Sequence, residues 1–401
     1  MTAGGDYDDF VKILVLIAGM AACSVAAAGP DEAALGKGEG YPVCRLLGAL
    51  TEERCFVGGF SHFDELMPAH RVAKGDRITR LREAPDASVG ADRYMEANRN
   101  TGLLVLQGDR ILAERYQYGR GPEDRFTSMS MAKTVLSMLF GIALSEASIA
   151  SLDDTASRYV PELAGTPYGE TKLRDLLTMS SGVKFTENYS GRDDIATLSR
   201  RAMFHQGPGG AANLQGFTER AAPAGTKFYY ASAESEVLGL VLLAALDVSL
   251  AEYLSQKIWQ PMGAEADATW VVDKAGDELG YVGINARLRD WGRFGLLLAS
   301  YGSLNGRQVI PEEWVRGATH PSAPHLRAGI ATRYNGYGYQ TWLIDDKDRF
   351  AALGLHNQAI FVDPATRLVV VHTGVARAGD TEARGRQFRY FYGLLSRLES
   401  R

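Results

Sequence analysis

The segment FTSMSMAK, residues 126–133, is followed by an apolar run that reaches Ser145. The length and composition of this run predict a buried helix that begins near Met131. Positions three apart share one face of a helix, so the amine of Lys133 can reach the hydroxyl of Ser130. A serine hydroxyl becomes a good nucleophile when a neighbouring base takes its proton. The motif therefore predicts an active-site serine with a lysine as its base.

The surroundings of the motif favour this chemistry. A lysine acts as a base only when it is neutral, and burial beside Met131 and Leu136 would lower its pKa from about 10.4. We expect Thr127 or Ser128 to cap the helix, which leaves Ser130 in the first turn. The free N–H groups of a first turn favour an oxyanion. A Ser-x-x-Lys spacing is common by chance, so the prediction depends on what the rest of the chain shows.

Further segments follow in an order that resembles the serine β-lactamase, penicillin-binding protein and carboxylesterase superfamily. They are SLDD (151–154), YVPEL (159–163), LRDLLTMSSG (173–182) and PAGTKFYYAS (223–232). The resemblance covers roughly residues 95–400 and is nearest to the carboxylesterases and the 6-aminohexanoate-dimer hydrolase-like members. It implies an α+β fold, in which an antiparallel sheet is flanked by helices and a mainly helical subdomain is inserted.

The same resemblance assigns residues to the site. Tyr230 falls on the catalytic tyrosine, which would relay a proton to the leaving group, although a packing role remains open for it. We expect the adjacent Tyr229 to be the packing residue. Ser232 stands where the family commonly has asparagine, which counts against a true β-lactamase. Tyr189 matches a tyrosine that covers the substrate, with an ordinary loop tyrosine as the alternative.

The superfamily places a Lys-Thr-Gly or His-x-Gly triplet on a strand at the sheet edge, and this chain has no Lys-Thr-Gly. His372–Gly374 follows what looks like the last strand, so we interpret it as a decoy. Gly354–Gln358 is the better match. The resemblance implies that the N–H of Leu355 completes the oxyanion hole, with a register uncertain by one residue. His356 is then a candidate for the lining of the pocket.

Hydrophobic patterning predicts the order strands, helices, strands and a closing helix. Strands at both ends of such a chain most simply share one sheet, with the helices inserted between them. The predicted strands are 102–107, 111–116, 338–344, 349–353, 358–362 and 367–372, and the closing helix is 381–398. The predicted regions are a signal or lipoprotein-type segment (1–28), an extended N-terminal arm (29–94) and a hydrolase domain (95–400), helical at about 126–260.

The first region carries an apolar run, residues 13–22, that is too short to span a bilayer but suits a signal peptide. Ala26–Ala28 offers a cleavage site, and Cys23 offers a lipidation site, which is the one route to membrane anchoring that we foresee. We therefore expect a periplasmic or secreted protein. The acidic flank before the run is unusual for an export signal, so a cytoplasmic protein with an apolar N-terminal helix stays open.

Cys44 and Cys55 remain as an even pair, which predicts a disulfide in an oxidising compartment, with two free thiols as the alternative. No cysteine–histidine cluster has metal-ligand spacing, and we expect no cofactor. The net charge of −5 and the lack of a basic stripe count against nucleic acid as a partner. The expected partner is a small ester or amide.

The prediction is thus a serine hydrolase that cleaves a small ester or a linear amide through an acyl-enzyme on Ser130. A β-lactamase or D,D-peptidase is the alternative enzyme. A non-catalytic binding or sensor protein of the same fold is the alternative from another class.

Overall fold

The computed structural model describes residues 29–333 and 335–399. The strands are β1 (Ala69–Val72), β2 (Arg82–Glu83), β3 (Asn100–Gln107), β4 (Arg110–Tyr116), β5 (Arg125–Thr127), β6 (Ala268–Val271), β7 (Ile284–Arg287), β8 (Ser303–Leu304), β9 (Arg307–Gln308), β10 (Gly336–Tyr337), β11 (Trp342–Leu343), β12 (Phe350–Leu353), β13 (Ala359–Asp363) and β14 (Leu368–Gly374). The helices are α1 (Leu46–Thr51), α2 (Phe56–Ser61), α3 (Ala91–Glu96), α4 (Ala132–Ser145), α5 (Leu173–Leu177), α6 (Asp194–Ala202), α7 (Ser232–Ala245), α8 (Leu250–Leu254), α9 (Leu288–Ala299), α10 (Glu312–Ala318) and α11 (Thr381–Glu399).

The main sheet has eight strands in the order β10-β11-β12-β13-β14-β3-β4-β2. Neighbouring strands in this sheet run antiparallel, except that β2 runs parallel to β4. Strand β14 lies directly against β3, with Val370 opposite Val105. Strands from both ends of the chain therefore share one sheet, as predicted, and the predicted α+β class is confirmed.

Both faces of the main sheet are buried. On β3, Leu104 and Leu106 belong to the core cluster that includes α4 and α9, whereas Leu103 and Val105 pack with α3 and α11. Successive side chains of a strand point to opposite faces, so a strand covered on both sides is apolar at every position. This packing holds the end of β12, where the expected oxyanion loop begins, in a rigid frame.

A second sheet, in the order β1-β6-β7-β5, is absent from the sequence prediction. Its strand β5 lies where we expected the helical region to begin, and it pairs with β7. Strands of three or four residues carry too little alternation to be recognised in a sequence. This sheet matters because β5 leads directly into the segment that carries Ser130.

Of the predicted strand 338–344, only residues 342–343 lie in a strand, β11, and the rest of the prediction is wrong. Gln340 has a φ of 51° and turns the chain, so that β10 and β11 form in place of one strand. The Gln340 side chain is buried; it accepts a hydrogen bond from Ser235 at 2.6 Å and donates one to the carbonyl of Leu176 at 2.9 Å. These contacts with distant segments hold the left-handed backbone in place.

The segment 29–94 is folded, which corrects the expectation of an extended arm. It forms α1, α2 and α3, and it contributes β1 to the small sheet and β2 to the main sheet. Helix α2 is buried along its whole length. Cys44 and Cys55 are joined by a disulfide with their Cα atoms 5.8 Å apart, which ties a position two residues before α1 to the residue that precedes α2.

The predicted signal segment, with Cys23 and Ala26–Ala28, lies outside the described residues. Within residues 29–333 and 335–399 no single helix is both long and apolar enough to cross a membrane. One sharply bent helix pair, Ser232–Ala245 with Leu250–Trp259, is long and apolar enough when its two helices are counted together.

Candidate active site

Ser130 lies in a 3-10 turn, Met129–Met131, that runs directly into α4. The expectation that Thr127 or Ser128 caps this helix is wrong, because neither side chain accepts a hydrogen bond from its first turn. The hydroxyl of Ser128 instead accepts from the N–H of Ile284 at 3.1 Å, and the N–H of Ser128 donates to the Ile284 carbonyl at 2.7 Å. These bonds continue the β5–β7 pairing and fix the turn that presents Ser130.

Lys133 is buried, with its Nζ 2.8 Å from the Oγ of Ser130 and 3.2 Å from the carbonyl oxygen of Tyr281. Its Nζ also lies 5.1 Å from the ring centre of Tyr230. Desolvation lowers the pKa of Lys133 to about 8, although the charges of Glu187 and Glu236 act to raise it. An appreciable fraction of the amine is therefore neutral near neutral pH, and a neutral amine can accept the proton of Ser130.

Tyr230 faces Ser130 from the segment before α7. Burial raises the pKa of its phenol well above the usual value, and Glu187 adds to the shift, whereas a hydrogen bond to Ser130 opposes it. The phenol is therefore protonated at neutral pH and able to donate. Its ring stacks on Trp342 with the centroids 5.4 Å apart. Tyr229, which we expected to be a packing residue, is 45 % exposed, so that prediction is wrong.

The loop after β12 lies against the Ser130 turn. A side chain on Gly354 would come within 2.6 Å of the carbonyl oxygen of Ser128, so only glycine allows this approach. None of the hydrogen bonds found among the described residues uses the N–H of Leu355. The N–H of Ser130 lies in a first turn, where no intrahelical acceptor exists. Two amides, those of Ser130 and Leu355, are thus available to an oxyanion between the two segments.

His356 lies in the same loop and lines the cavity beside Ser130. Its Nδ1 donates to the carbonyl of Ala376 at 2.6 Å, and its ring contacts Phe56 and Phe60 with centroids 4.9 and 4.8 Å apart. Burial lowers the pKa of His356 to about 4, so it is neutral near pH 7. By contrast, His372 lies inside the central strand β14, and its ring packs against Tyr94 in the layer of α3 and α11.

Glu187 is a site residue that the sequence analysis missed. Its carboxylate accepts hydrogen bonds from the N–H of Ser232 at 2.7 Å, from the hydroxyl of Ser232 at 2.8 Å and from the phenol of Tyr189 at 2.8 Å. A negative charge at the start of α7 is favoured by the helix dipole. Tyr189 is 43 % exposed at the rim of the cavity, as a covering residue would be. An acid two residues before Tyr189 is the only sequence signal that could have pointed to Glu187.

A second missed acid lies behind Lys133. Glu236 of α7 is buried, and its carboxylate accepts from the N–H of Gly280 at 2.8 Å, next to the Tyr281 carbonyl that holds Lys133. Burial raises the pKa of Glu236 to about 8. Glu236 directly precedes the apolar run 237–245 of this helix, and a glutamate at the edge of such a run is a signal that the sequence does contain.

The cavity at Ser130 has a volume of about 220 Å³. Its walls come from the N-terminal segment, α6 and the loop after β12, and they include Leu50, Ile195, Met203, Val282 and Leu355. Glu187 and Asp193 are its acidic lining residues, and among the described residues no lysine or arginine belongs to the lining. A larger cleft of about 760 Å³ between Tyr159, Phe217 and Leu240 holds none of the residues named above as site residues.

No group of three or more His, Cys, Asp or Glu side chains in the described part of the chain is arranged to hold a metal ion. The chemical groups present are a serine beside a partly neutral lysine, a protonated phenol and two free amides. This set can transfer an acyl group to the serine.

The chain is similar to known proteins over most of its length. The Beta-lactamase family model matches residues 91–374. The 6-aminohexanoate-dimer hydrolase of Paenarthrobacter ureafaciens is 27% identical over 352 residues, which is 84% of this chain and 88% of that protein.

Two solved structures have a fold similar to that of this chain. A putative 6-aminohexanoate-dimer hydrolase from Bacillus anthracis has a TM-score of 0.77 at 24% identity, covering 86% of this chain and 95% of its own. A D-stereospecific amidohydrolase from Streptomyces sp. has a TM-score of 0.56 at 15% identity, covering 75% of this chain and 97% of its own. The chain belongs to the beta-lactamase family and is a hydrolase of that fold, as its motifs predicted.

Proposed function

We propose that the protein hydrolyses a small ester or linear amide through an acyl-enzyme on Ser130. The observation that carries this proposal is the 2.8 Å contact between Ser130 and a buried Lys133 whose pKa lies near 8. In acylation, neutral Lys133 takes the proton of Ser130 while the Oγ bonds to the substrate carbonyl carbon. The N–H groups of Ser130 and Leu355 stabilise the resulting oxyanion.

Collapse of this intermediate breaks the bond to the leaving group. The Tyr230 phenol donates a proton to the departing amine or alcohol, and the lysine ammonium then gives its proton to the tyrosinate, which leaves both side chains neutral. Water then attacks the acyl-enzyme and gives its proton to the neutral lysine. The lysine ammonium then returns a proton to the Oγ of Ser130 as the carboxylic acid leaves, so that atoms and charges balance over the cycle.

The lining of the cavity supports uncharged acyl groups over anionic ones. Ser232 replaces an amide-bearing asparagine, and both its N–H and its hydroxyl are already donated to Glu187. The carboxylates of Glu187 and Asp193 in the lining disfavour the approach of an anionic β-lactam or of a peptide carboxylate. The relative named as a 6-aminohexanoate-dimer hydrolase agrees with hydrolysis of a small molecule.

A fluorophosphonate probe and a substrate panel test the proposal together. We expect covalent labelling of Ser130, ready cleavage of short-chain p-nitrophenyl esters, slower cleavage of a linear amide and barely detectable turnover of nitrocefin. An absence of labelling would support a sensor protein instead. Faster turnover of nitrocefin than of the esters would support a β-lactamase.

The pH dependence of acylation follows from Lys133. Since only the neutral amine accepts a proton, the rate of fluorophosphonate labelling should rise with pH and level off above an apparent pKa near 8. The measurement is the second-order labelling rate between about pH 6 and about pH 10. A profile that keeps rising to the usual lysine pKa, or one that is flat, would contradict the role of Lys133 as base.

Export to an oxidising compartment is part of the proposal, either with cleavage of the leader or with lipid anchoring through Cys23. Its structural support is the Cys44–Cys55 disulfide, since such bonds persist in periplasmic and secreted proteins. Mass analysis of protein from the periplasmic and membrane fractions tests this: we expect cleavage before or near residue 28, or diacylglycerol on Cys23.

Opening the disulfide should lower activity as well as stability. The segment that it closes carries Leu50, which lines the cavity, and it runs into α2, whose Phe56 and Phe60 contact His356. We expect Cys44→Ser with Cys55→Ser to lose at most about 3 kcal/mol of stability and to lower kcat/KM for esters below the melting temperature. Full activity in this variant would show that the segment does not shape the site.

A further inference from the structure

Arg384 on α11 is a part-buried cation beside the loop that follows β12. Among the described residues, no carboxylate lies within ion-pair distance of its guanidinium, whereas the neighbouring Arg389 pairs with Glu382. Desolvation lowers the pKa of Arg384 to about 10, so it remains charged at neutral pH. A desolvated charge is costly unless something compensates it, which makes the partners of this arginine informative.

Those partners are mainly backbone carbonyls of the loop. The guanidinium donates to the carbonyl of Gly354 at 2.6 Å, and more weakly to that of Gln358 at 3.4 Å. It also donates to the side chain of Gln387 at 2.7 Å. The shortest of these contacts is therefore a charge-assisted hydrogen bond to one peptide oxygen.

This peptide is the one whose N–H the proposed function assigns to the oxyanion hole. The carbonyl of Gly354 and the N–H of Leu355 belong to the same planar unit, with the oxygen and the hydrogen at opposite sides. A positive charge bonded to the oxygen draws electron density away from the nitrogen and makes the N–H a stronger donor. Hydrogen bonds in a chain strengthen one another in this way, and more so at low dielectric.

We propose that Arg384 strengthens the oxyanion hole by polarising the Gly354–Leu355 peptide from its carbonyl end. The proposal rests on the proposed function, in which Leu355 donates to the oxyanion. Arg384 is a positioning residue, because it acts through the peptide and contacts no reacting atom. Its charge is most useful when negative charge develops on the substrate oxygen, which occurs in the transition state and not in the bound ester.

The loop has other contacts that fix its position. Gln358 bonds both the carbonyl and the N–H of Gly374, at 2.6 and 3.1 Å. Gln387 donates to the carbonyl of Asn357 at 2.9 Å, and His356 is held by Ala376. Removal of the Arg384 charge should therefore weaken the donor while the loop keeps its place.

The experiment compares Arg384→Lys, Arg384→Gln and Arg384→Met with the wild type on a short-chain p-nitrophenyl ester. We expect Arg384→Met to lower kcat about tenfold with little change in KM, because the lost interaction belongs to the transition state. Arg384→Lys keeps the charge and should recover most of the loss. Arg384→Gln keeps a neutral donor and should not. Arg389→Met, on the exposed side of the same helix, is the matched control and should equal the wild type.

A second measurement separates the loss of the Arg384 charge from a general loss of folded structure. A short alkyl boronic acid forms a tetrahedral, anionic adduct with an active-site serine, so its affinity should fall by about the same factor as kcat in Arg384→Met. Thermal unfolding of each variant reports its folding. If Arg384→Met does not fold, the comparison of Arg384→Lys with Arg384→Gln decides.

Either of two results on ester turnover would overturn the role of Arg384 alone: an Arg384→Met variant with wild-type kcat, or an Arg384→Gln variant as active as Arg384→Lys. A loss of kcat without a parallel loss of boronate affinity would do the same. A wild type that neither turns over esters nor is labelled by fluorophosphonate would overturn the proposed function and this inference with it.

Discussion

Ser130→Ala should abolish turnover of every ester and amide while the fold stays intact. Lys133→Ala should be nearly as damaging, because without its base the hydroxyl at 2.8 Å keeps its proton. Residues that act as one unit fail together, so we expect each single variant to lose about a thousandfold or more in kcat, and the double variant to be little worse.

The measurement is kcat on a p-nitrophenyl ester, together with a thermal unfolding curve for each variant. Ser148→Ala is a suitable control, since this serine lies beyond the far end of α4, about 20 Å along the helix. Retention of most activity by Ser130→Ala would end the proposal. Losses that multiply in the double variant would mean that Lys133 acts independently of Ser130.

Tyr230→Phe should harm amides far more than activated esters. An amine leaves only after it is protonated, whereas p-nitrophenolate leaves without a proton, so only amide cleavage needs the phenol as an acid. We expect a loss of about a hundredfold or more for a linear amide and a much smaller loss for a p-nitrophenyl ester.

The quantity to report is the ratio of the two losses in a single Tyr230→Phe preparation. Tyr229→Phe provides the matched control, because it removes the neighbouring, exposed phenol. Equal losses on both substrates would show that Tyr230 acts on acylation or on the structure of the site, and not on the leaving group.

The parts of the site that the sequence predicted are those that local geometry determines. Ser130 and Lys133 come together because three positions on a helix span one face, and this needs no knowledge of the rest of the fold. The long strands and helices are likewise visible as periodic apolar runs, which is why the β3–β4 hairpin and α11 agree with the prediction. The roles of these residues stay predictions until the variants are measured.

The parts that the sequence did not predict depend on contacts between distant segments. Glu187 meets Ser232 across 45 residues of chain, and Arg384 meets Gly354 across 30. Arg384 bonds mainly to backbone carbonyls, and one of the three bonds of Glu187 is to a backbone N–H. Backbone groups leave no pattern in a sequence. The N-terminal segment was misjudged for a related reason: α1 and α2 are six residues each, shorter than the window in which helical periodicity can be seen.

The pairing of β3 with β14 has a consequence for the timing of synthesis. The nucleophile segment leaves the ribosome long before Gly354, Leu355 and Arg384 exist, and the main sheet cannot close until residue 374 has been added. At the usual speed of translation, the 254 residues between positions 130 and 384 take roughly 13 to 50 s to add. During that interval the chain carries its serine and lysine without the loop after β12. A nascent chain should therefore react with acylating agents only after its last quarter has emerged, and a chain cut short before β14 should accumulate unfolded.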